Sequence, residues 1–358
     1  MAFDQPNLFG SPQNRERSRR AKRHAVISVD GIQLSTTPVF EAYWYFVHER
    51  QNMFRRRLEG LNRHEASEDK ILASHRFTNV YRASDRVSQY LIRNVIWEAA
   101  ELRSDDDLFF RILLFKLFNR IDTWEAISEA LGPISLDNYS FERFDEFLSD
   151  RKAQGLRNYS AAYIMPSAGR VFGHASKHAN HLRLIEWMLS EKYPERLRRS
   201  STMSEGFELL LSAPSIGPFL AYQFITDLNY SELTNFTEEE FVGAGPGAID
   251  GISKCFVDTQ GISPERIIEH MARHQADYLD DYEFEFIDLW GRPLQFIDCQ
   301  NVFCEISKYA RAAFPDIAGR SRRSRIKQKY RPAGHLPRPW YPPNWGLNEK
   351  ITADIGSY

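Results

Sequence analysis

The sequence predicts an all-α fold of two helical lobes with a cleft, and three observations support it. Apolar residues recur at helical spacing through most of the chain, strands do not alternate with helices, and no internal repeat is visible. With 358 residues, 42% of them hydrophobic, the chain can bury a large core. We expect a helical body at residues 38–319 between a basic arm at 1–37 and a tail at 320–358.

Local signals predict the elements in order. The stretch AVISVDGIQL, with Asp30-Gly31 at its centre, predicts a small hairpin inside the N-terminal arm. Thr37-Pro38 then predicts the start of a helix that runs to about residue 60. Breaks at Gly155, Asn158 and Pro166 predict a division of the body near residues 150–165. Apolar spacing predicts further helices at 84–101, 106–120, 122–131, 179–192, 203–212, 217–229, 263–272 and 298–313.

The formal net charge of −2 conceals a strong asymmetry along the chain. Residues 15–23 carry six basic side chains and one acidic, and residues 320–331 carry seven basic side chains and no acidic one. These two stretches together carry +12, so the rest of the chain carries −14. Two flexible cationic arms would suit a polyanionic partner, whereas the alternative is solubilising tails. Aromatic residues among the prolines of KYRPAGHLPRPWYPPNW favour a binding role for the second arm.

Several classes of protein are excluded by composition. No apolar run approaches the length of a membrane span, and the first thirty residues are polar and rich in arginine rather than apolar as in a secretory signal. The three cysteines show no CxxC spacing, and the histidines at 174, 178 and 181 have no partner ligand at a suitable spacing. We therefore expect a cytoplasmic monomer with reduced thiols and neither metal nor cofactor.

The stretch LLSAPSIGPFLAYQ predicts a helix-hairpin-helix near residues 203–229. A helix before the Pro-Ser-Ile-Gly-Pro corner and a second helix after it would aim backbone N–H groups at one point, where a DNA phosphate could bind. The residues expected to bind that phosphate are Ser215, Ile216, Gly217 and Phe219. The alternative is an ordinary corner between two helices, which many helical proteins contain.

The same stretch resembles the hairpin of helix-hairpin-helix DNA glycosylases. Gly217 and Ala221 occupy the expected places, while Ser215 replaces the first glycine of the hairpin. The resemblance implies a catalytic aspartate after the hairpin, and GAGPGAIDGISKCF offers Asp250, although the connection from Gly217 is longer than usual. Phe219 stands where members of the family with lyase activity have a lysine, so the resemblance implies an enzyme that leaves an intact abasic strand.

A second resemblance covers most of the body. FEAYWYFVHERQNMFRRR, RFTNVYRASDRVSQYLIRNVI, GPGAIDGISKCF and LQFIDCQNVFCEISKYAR together resemble the helical family known from a domain fused to 5-hydroxymethyluracil DNA kinases and from proteins proposed to process hypermodified thymine in phage DNA. The family is believed to adopt the glycosylase-like fold, and some relatives resemble antiphage enzymes. The resemblance implies double-stranded DNA with modified bases as the partner.

Two aspartates are the candidate catalytic residues. Cleavage of an N-glycosidic bond places positive charge on the sugar, which a buried carboxylate can stabilise. Asp250 follows a glycine-rich loop at the expected start of a helix, and Asp298 begins another helix. The alternatives are a helix cap for Asp250 and the solvated face of an amphipathic helix for Asp298.

Other polar and aromatic residues are candidates for a base pocket or its support. Asn301, Glu305 and Lys308 share one helix face with Asp298, and Lys254 follows Asp250 by one turn. Trp44 belongs to an aromatic run that could stack on a flipped base, although such runs are usually core. The remaining candidates are the polar residues Asn79, Arg82 and Asp85 and, at the end of the helix after the hairpin, Asp227.

These observations predict a monofunctional DNA glycosylase that flips a bulky hypermodified pyrimidine out of phage DNA and excises it. Two alternatives stay open. One is an enzyme of thymine hypermodification that eliminates pyrophosphate and transfers an amine to the base, and the other is a module that binds modified DNA without catalysis.

Overall fold

The computed structural model describes residues 25–61, 65–98, 104–161, 165–330 and 336–355. The chain divides into two compact units, which we call the first unit (residues 1–82 and 244–338) and the second unit (83–243 and 339–358). The boundaries therefore lie at 82–83, 243–244 and 338–339, and the predicted division near 150–165 is wrong. Near the middle of that stretch, Asn158 is buried and donates to the Leu148 carbonyl at 2.7 Å, inside the second unit.

The first unit begins with the predicted hairpin. Strands β1 (Val26–Val29) and β2 (Ile32–Ser35) are antiparallel, with Val29 paired to Ile32 across the turn. Asp30 and Gly31 both have positive φ, as the tight turn between two such strands requires. The helices of this unit are α1 (Pro38–Leu58) and α2 (Lys70–Ser74) and, after the second unit, those that we number α12 (Pro246–Cys255), α13 (Pro264–Arg273), α14 (Gln275–Asp281) and α15 (Phe296–Ala313).

Helix α15 forms the centre of the first unit, where it packs against both α1 and α12. The closest approach is at Gly251, because a Cβ atom there would overlap the Phe303 carbonyl. Only glycine lets the two helices come this close. Helix α12 begins after its N-cap Gly245 with Pro246 at the first position, where a missing N–H costs nothing.

The second unit contains helices α3 to α11. They are α3 (Arg86–Tyr90), which continues as a π-helix over Leu91–Trp97, α4 (Asp105–Phe118), α5 (Ile121–Leu131), α6 (Phe141–Ala153), α7 (Gly169–Phe172), α8 (Lys177–Ser190), α9 (Tyr193–Arg199), α10 (Met203–Leu211) and α11 (Pro218–Leu228). Helix α4 is the core of this unit, because nearly all of its side chains are buried among its neighbours.

The end of the chain also belongs to this unit. Helix α16 (Asn348–Ile355) follows a short 3₁₀ turn at Pro343–Trp345. Tyr341 is 0% exposed, stacks on Trp345 and lies 2.6 Å from the Ser84 hydroxyl. For residues 336–355, the prediction of a flexible tail is therefore wrong, because the Tyr341 side chain buries apolar surface in a packed unit.

The all-α prediction is confirmed, and each helix predicted from apolar spacing is present within a few residues of its expected ends. The hairpin is likewise where its turn residues predicted it. The basic stretch 15–23 lies outside the described residues. Within the described ranges, no helix is both long enough and apolar enough to cross a membrane.

Candidate functional site

Asp250 lies at the centre of a buried polar cluster between α12 and α15. Its carboxylate accepts hydrogen bonds from the Ser307 hydroxyl and, at 2.6 Å, from the backbone N–H of Ser321. Lys254, one turn further along α12, places its Nζ 3.7 Å from the same carboxylate and donates to the Ser307 carbonyl at 2.7 Å. Asp250 and Lys254 are 2% and 1% exposed, so this ion pair is shielded from solvent.

The chain after α15 covers this cluster. A Cβ atom at Gly319 would lie 2.5 Å from the Asp250 carboxylate and 2.7 Å from the Lys254 side chain, so only glycine allows the segment to approach this closely. The N–H of Arg320 donates to the Ser253 hydroxyl at 3.2 Å. The cluster therefore fixes the start of the basic stretch that follows.

The pKa values of Asp250 and Lys254 are shifted by burial and by their hydrogen bonds and charges. Burial raises the pKa of Asp250, but the bonds from Ser307 and Ser321 and the charge of Lys254 outweigh it, so the pKa lies below its usual value. Burial lowers the pKa of the Lys254 ammonium, and the charge of Asp250 opposes that change only in part. Asp250 is thus an ionised carboxylate with internal donors on both oxygens.

The environment of Asp298 differs from that of Asp250. It is the third residue of α15, where its Oδ2 accepts the N–H of Gln295 at 3.0 Å in a capping box. Its Oδ1 accepts the N–H of Arg82 at 2.8 Å, and the residue is 4% exposed. The side chain thus connects the start of α15 to the chain before the second unit, and it does not lie on a solvated face.

The remaining polar residues of α15 lie along the same segment. Asn301 donates to the Asn79 carbonyl at 2.9 Å, and Glu305 accepts the N–H of Thr78 at 3.0 Å. Lys308 pairs with Glu305 at 2.8 Å and lies over the Phe77 ring, 5.0 Å from its centroid. The structure therefore brings Asn301, Glu305, Lys308, Asn79 and the Arg82 backbone together, with the Lys308 side chain 18% exposed at the edge.

Trp44 does not belong to this group. It is 0% exposed and stacks on Tyr278 at 5.1 Å between ring centroids. The expectation that it contacts a flipped base is wrong for this structure, because the ring fills the core of the first unit. Burial of so large a side chain is a main source of stability.

Two other candidates lie in the second unit. Asp227, 0% exposed, pairs with Lys116 at 3.1 Å between α11 and α4. Asp85 is the N-cap residue of α3, and its carbonyl accepts the N–H of Gln89 at 2.7 Å.

In the second unit, α10 and α11 meet at a tight corner at the place where the helix-hairpin-helix was predicted. Ser215 has φ of 64°, the conformation for which glycine is favoured. Gly217 is the N-cap of α11 with φ of −90° and ψ of 172°, which any residue can adopt, and a Cβ atom there would meet nothing within 4 Å. The first N–H groups of a helix have no acceptor within the helix, and the binding of a DNA phosphate at this turn stays a prediction.

Two of the three candidate histidines, His178 and His181, are hydrogen-bonded to protein groups. His178 lies 3.0 Å from the Ser149 hydroxyl and 3.1 Å from Asp145, and His181 lies 2.9 Å from the Tyr159 hydroxyl. Across the part of the chain that the structure describes, no group of three or more His, Cys, Asp and Glu side chains is arranged to hold a metal ion.

Sequence reasoning missed the residues that complete the Asp250 cluster. Ser307 lies on the other side of α15 from Glu305, Gly319 is the last residue of the predicted body, and Ser321 lies in the predicted tail. The one available signal was Gly319 itself, directly before the basic run.

Comparison with known proteins identifies the family. The family model for the helical domain of 5-hmdU DNA kinase matches residues 37–319. A 5-hmdU DNA kinase from Bacillus phage SP10 is 26% identical over 302 residues, which cover 78% of this chain and 47% of that relative. The chain therefore spans about half the length of the curated relative. No solved structure matches the chain, so the glycosylase-like form of the fold stays a prediction.

The relative also corrects the predicted enzyme class. A kinase transfers a phosphoryl group, whereas a glycosylase is a hydrolase, so the prediction of a DNA N-glycosylase is wrong. The modified-DNA association that the motifs implied is supported by both comparisons. Because the family model covers most of the chain, the protein belongs to the family of 5-hmdU DNA kinase helical domains.

Proposed function

We propose that this protein alters a modified pyrimidine in DNA and leaves the base attached to its sugar. The observation that carries the proposal is the family match over residues 37–319, which contains Asp250, Lys254, the polar face of α15 and the predicted hairpin. The name of the phage relative refers to 5-hmdU DNA, in which the base carries a hydroxymethyl group. A base with such a group offers a carbon outside the ring at which chemistry can occur.

The reaction that we propose is replacement of a pyrophosphate ester on that carbon by an amine. The bond between the methylene carbon and the ester oxygen breaks, and a bond from the same carbon to the amine nitrogen forms. The amine loses a proton to a base, and pyrophosphate leaves as an anion. Such a site needs a carboxylate for the proton and cations for the leaving group.

Glu305 and Lys308 are our candidates for these two roles. They form an ion pair at 2.8 Å beside Phe77, and Lys308 is partly exposed while Glu305 is almost buried. A carboxylate that gives up its partner on substrate binding can accept a proton, and the released ammonium can bind an anion. Asn301, which donates to the Asn79 carbonyl, would hold the adjoining loop in place.

The two aspartates suit positioning roles better. Asp298 is bonded to the N–H groups of Gln295 and Arg82, and Asp250 is bonded to Ser307 and Ser321. Each is nearly inaccessible and satisfied by internal donors. Either could take part in the reaction only after these bonds break, which costs free energy.

A direct test uses DNA in which 5-hydroxymethyluracil carries a pyrophosphate ester, incubated with the protein and a primary amine. We expect mass spectrometry of the nucleosides to show the amine adduct, with release of pyrophosphate and no loss of bases. Glu305→Gln should abolish the adduct while the protein stays folded, and the exposed carboxylate variant Asp277→Asn serves as the control. Intact ester after incubation with the wild-type protein would contradict the proposal.

A second candidate is phosphoryl transfer to the hydroxymethyl base, because this is the activity that the relative's name states. The match covers 47% of that relative, so its activity could reside in the remaining part. Incubation of 5-hydroxymethyluracil DNA with labelled ATP separates the two candidates. Transfer of label to DNA would favour the second.

A further inference from the structure

The basic stretch after α15 is bound to the body of the first unit along its length. At its start, the N–H groups of Arg320 and Ser321 donate to Ser253 and Asp250 at 3.2 and 2.6 Å. Near its middle, Arg311 donates to the Arg325 carbonyl at 3.4 Å. These contacts hold the backbone to α12 and α15.

The end of the stretch is bound as well. His75 and Lys329 form an antiparallel bridge, in which the N–H of Arg76 donates to the Gln328 carbonyl and the N–H of Tyr330 donates to the Ser74 carbonyl, both at 3.0 Å. The stretch therefore has a defined path from residue 319 to residue 330.

The charges on this path have a regular order. Arg323, Arg325, Lys327 and Lys329 occupy every second position, and all four are exposed. Lys329 is paired in a strand-like bridge. Where such extended geometry continues, side chains at every second residue share one face, at intervals of about 6.6 Å. No acidic residue lies between positions 317 and 330, so the path carries uncompensated positive charge along its sequence.

We propose that residues 320–329 form a fixed track for the phosphate backbone of DNA, and that Asp250 is a positioning residue that sets where the track begins. The proposal rests on the proposed function only in taking DNA as the partner. A regular row of cations complements the regular row of charges on a nucleic acid strand, and each phosphate contact releases counterions. Because the backbone is already ordered, binding loses less conformational entropy than it would with a flexible arm.

The track is tested by binding an unmodified DNA duplex at several salt concentrations. The triple variant Arg323→Gln, Arg325→Gln, Lys327→Gln should weaken binding by on the order of 10²-fold at about 0.1 M salt and reduce the salt slope by about 3. The matched control carries Lys152→Gln, Arg157→Gln and Arg170→Gln, three exposed basic residues of the second unit, and should retain both values. Equal affinity and slope in the two triple variants would overturn the track.

The positioning role is tested with variants that disturb the start of the track without removing a cation. Asp250→Asn and Gly319→Ala should each lower the affinity for unmodified DNA and reduce the salt slope. Gly319→Ala displaces the segment itself, because its methyl group cannot fit against the Asp250 carboxylate. This variant replaces Asp250→Asn in the test if Asp250→Asn does not fold. If a folded variant of each kind binds DNA as the wild type does, Asp250 does not position the track.

These results are independent of the proposed reaction. Unmodified DNA carries no pyrophosphate ester on its bases, so the proposed reaction cannot occur on it. A loss of binding to this DNA therefore cannot result from a loss of catalysis. If the amine adduct never forms but the track variants lose affinity, the proposed function fails and the track stands. If the adduct forms and the track variants bind DNA as the wild type does, the track proposal fails and the proposed function stands.

Discussion

Asp298 accepts the backbone N–H of Arg82 at 2.8 Å and in this way links the start of α15 to a residue 216 positions earlier in the chain. The other carboxylate oxygen accepts the N–H of Gln295 within the capping box. One side chain therefore accepts hydrogen bonds from two backbone donors that are distant in sequence from each other.

Asp298→Asn should lower the free energy of unfolding by about 1–3 kcal/mol, because an amide offers one acceptor oxygen where two N–H groups need one each. Chemical denaturation measures the change, and Asp277→Asn, whose side chain is 75% exposed, should leave stability nearly unchanged. Normal stability of Asp298→Asn combined with loss of activity would instead assign a catalytic role to Asp298.

The lowered pKa of Asp250 predicts how stability depends on pH. The folded state binds the Asp250 proton more weakly than the unfolded state, whose pKa is about 3.9, so the stabilisation is complete above that value. It is lost as the pH falls through the lower pKa of the folded state. At neutral pH, Asp250→Asn should cost about 3 kcal/mol, because Lys254 is left buried beside a neutral group.

The difference in stability between wild type and Asp250→Asn, measured by denaturation across a pH series, should therefore narrow below pH ~4. A difference that stays constant down to the acid limit would show that the charge of Asp250 does not stabilise the fold.

Gly217→Asp should weaken DNA binding without harming the fold. Aspartate is a favoured N-cap residue, and Gly217 already has the extended backbone and the open space that the side chain needs. The new charge would repel a phosphate at the turn, and loss of one such contact lowers affinity roughly tenfold at about 0.1 M salt. Gly217→Ala is the control for size, and thermal unfolding verifies the fold. Unchanged affinity in Gly217→Asp would leave the hairpin as an ordinary helical corner.

The buried pair of Lys116 and Asp227 should be important for the stability of the second unit. The two side chains are 3% and 0% exposed, so Asp227→Ala leaves an ammonium in a dry site and should cost about 3–5 kcal/mol. The exposed pair of Arg199 and Glu195 provides a matched control, and Glu195→Ala should cost less than about 1 kcal/mol. Replacement of both buried partners, by Lys116→Met and Asp227→Leu, should recover most of the loss, and a double variant as unstable as the single one would contradict this account.

The sequence by itself determined the helices and the hairpin, because the signals for them are local. Thr37 caps α1 through its side chain and Pro38 fits the first position. Apolar spacing marks the buried faces of the later helices that it predicted, but it did not predict α6, α9 or α14. The alignment of Asn301, Glu305 and Lys308 follows from helix geometry alone, and the structure brings these residues together with Asn79 as one polar group.

Only the tertiary structure decided which distant groups each polar residue contacts. Ser321 lies 71 residues after Asp250, and nothing in the local pattern of either stretch indicates that they bond. Tyr341 resembles a residue of an exposed basic tail, yet it is fully buried beside Ser84, which lies 257 residues earlier. Local propensity depends on residues a few positions apart, whereas these contacts depend on how distant segments pack, because burial and hydrogen bonding are satisfied across the whole unit.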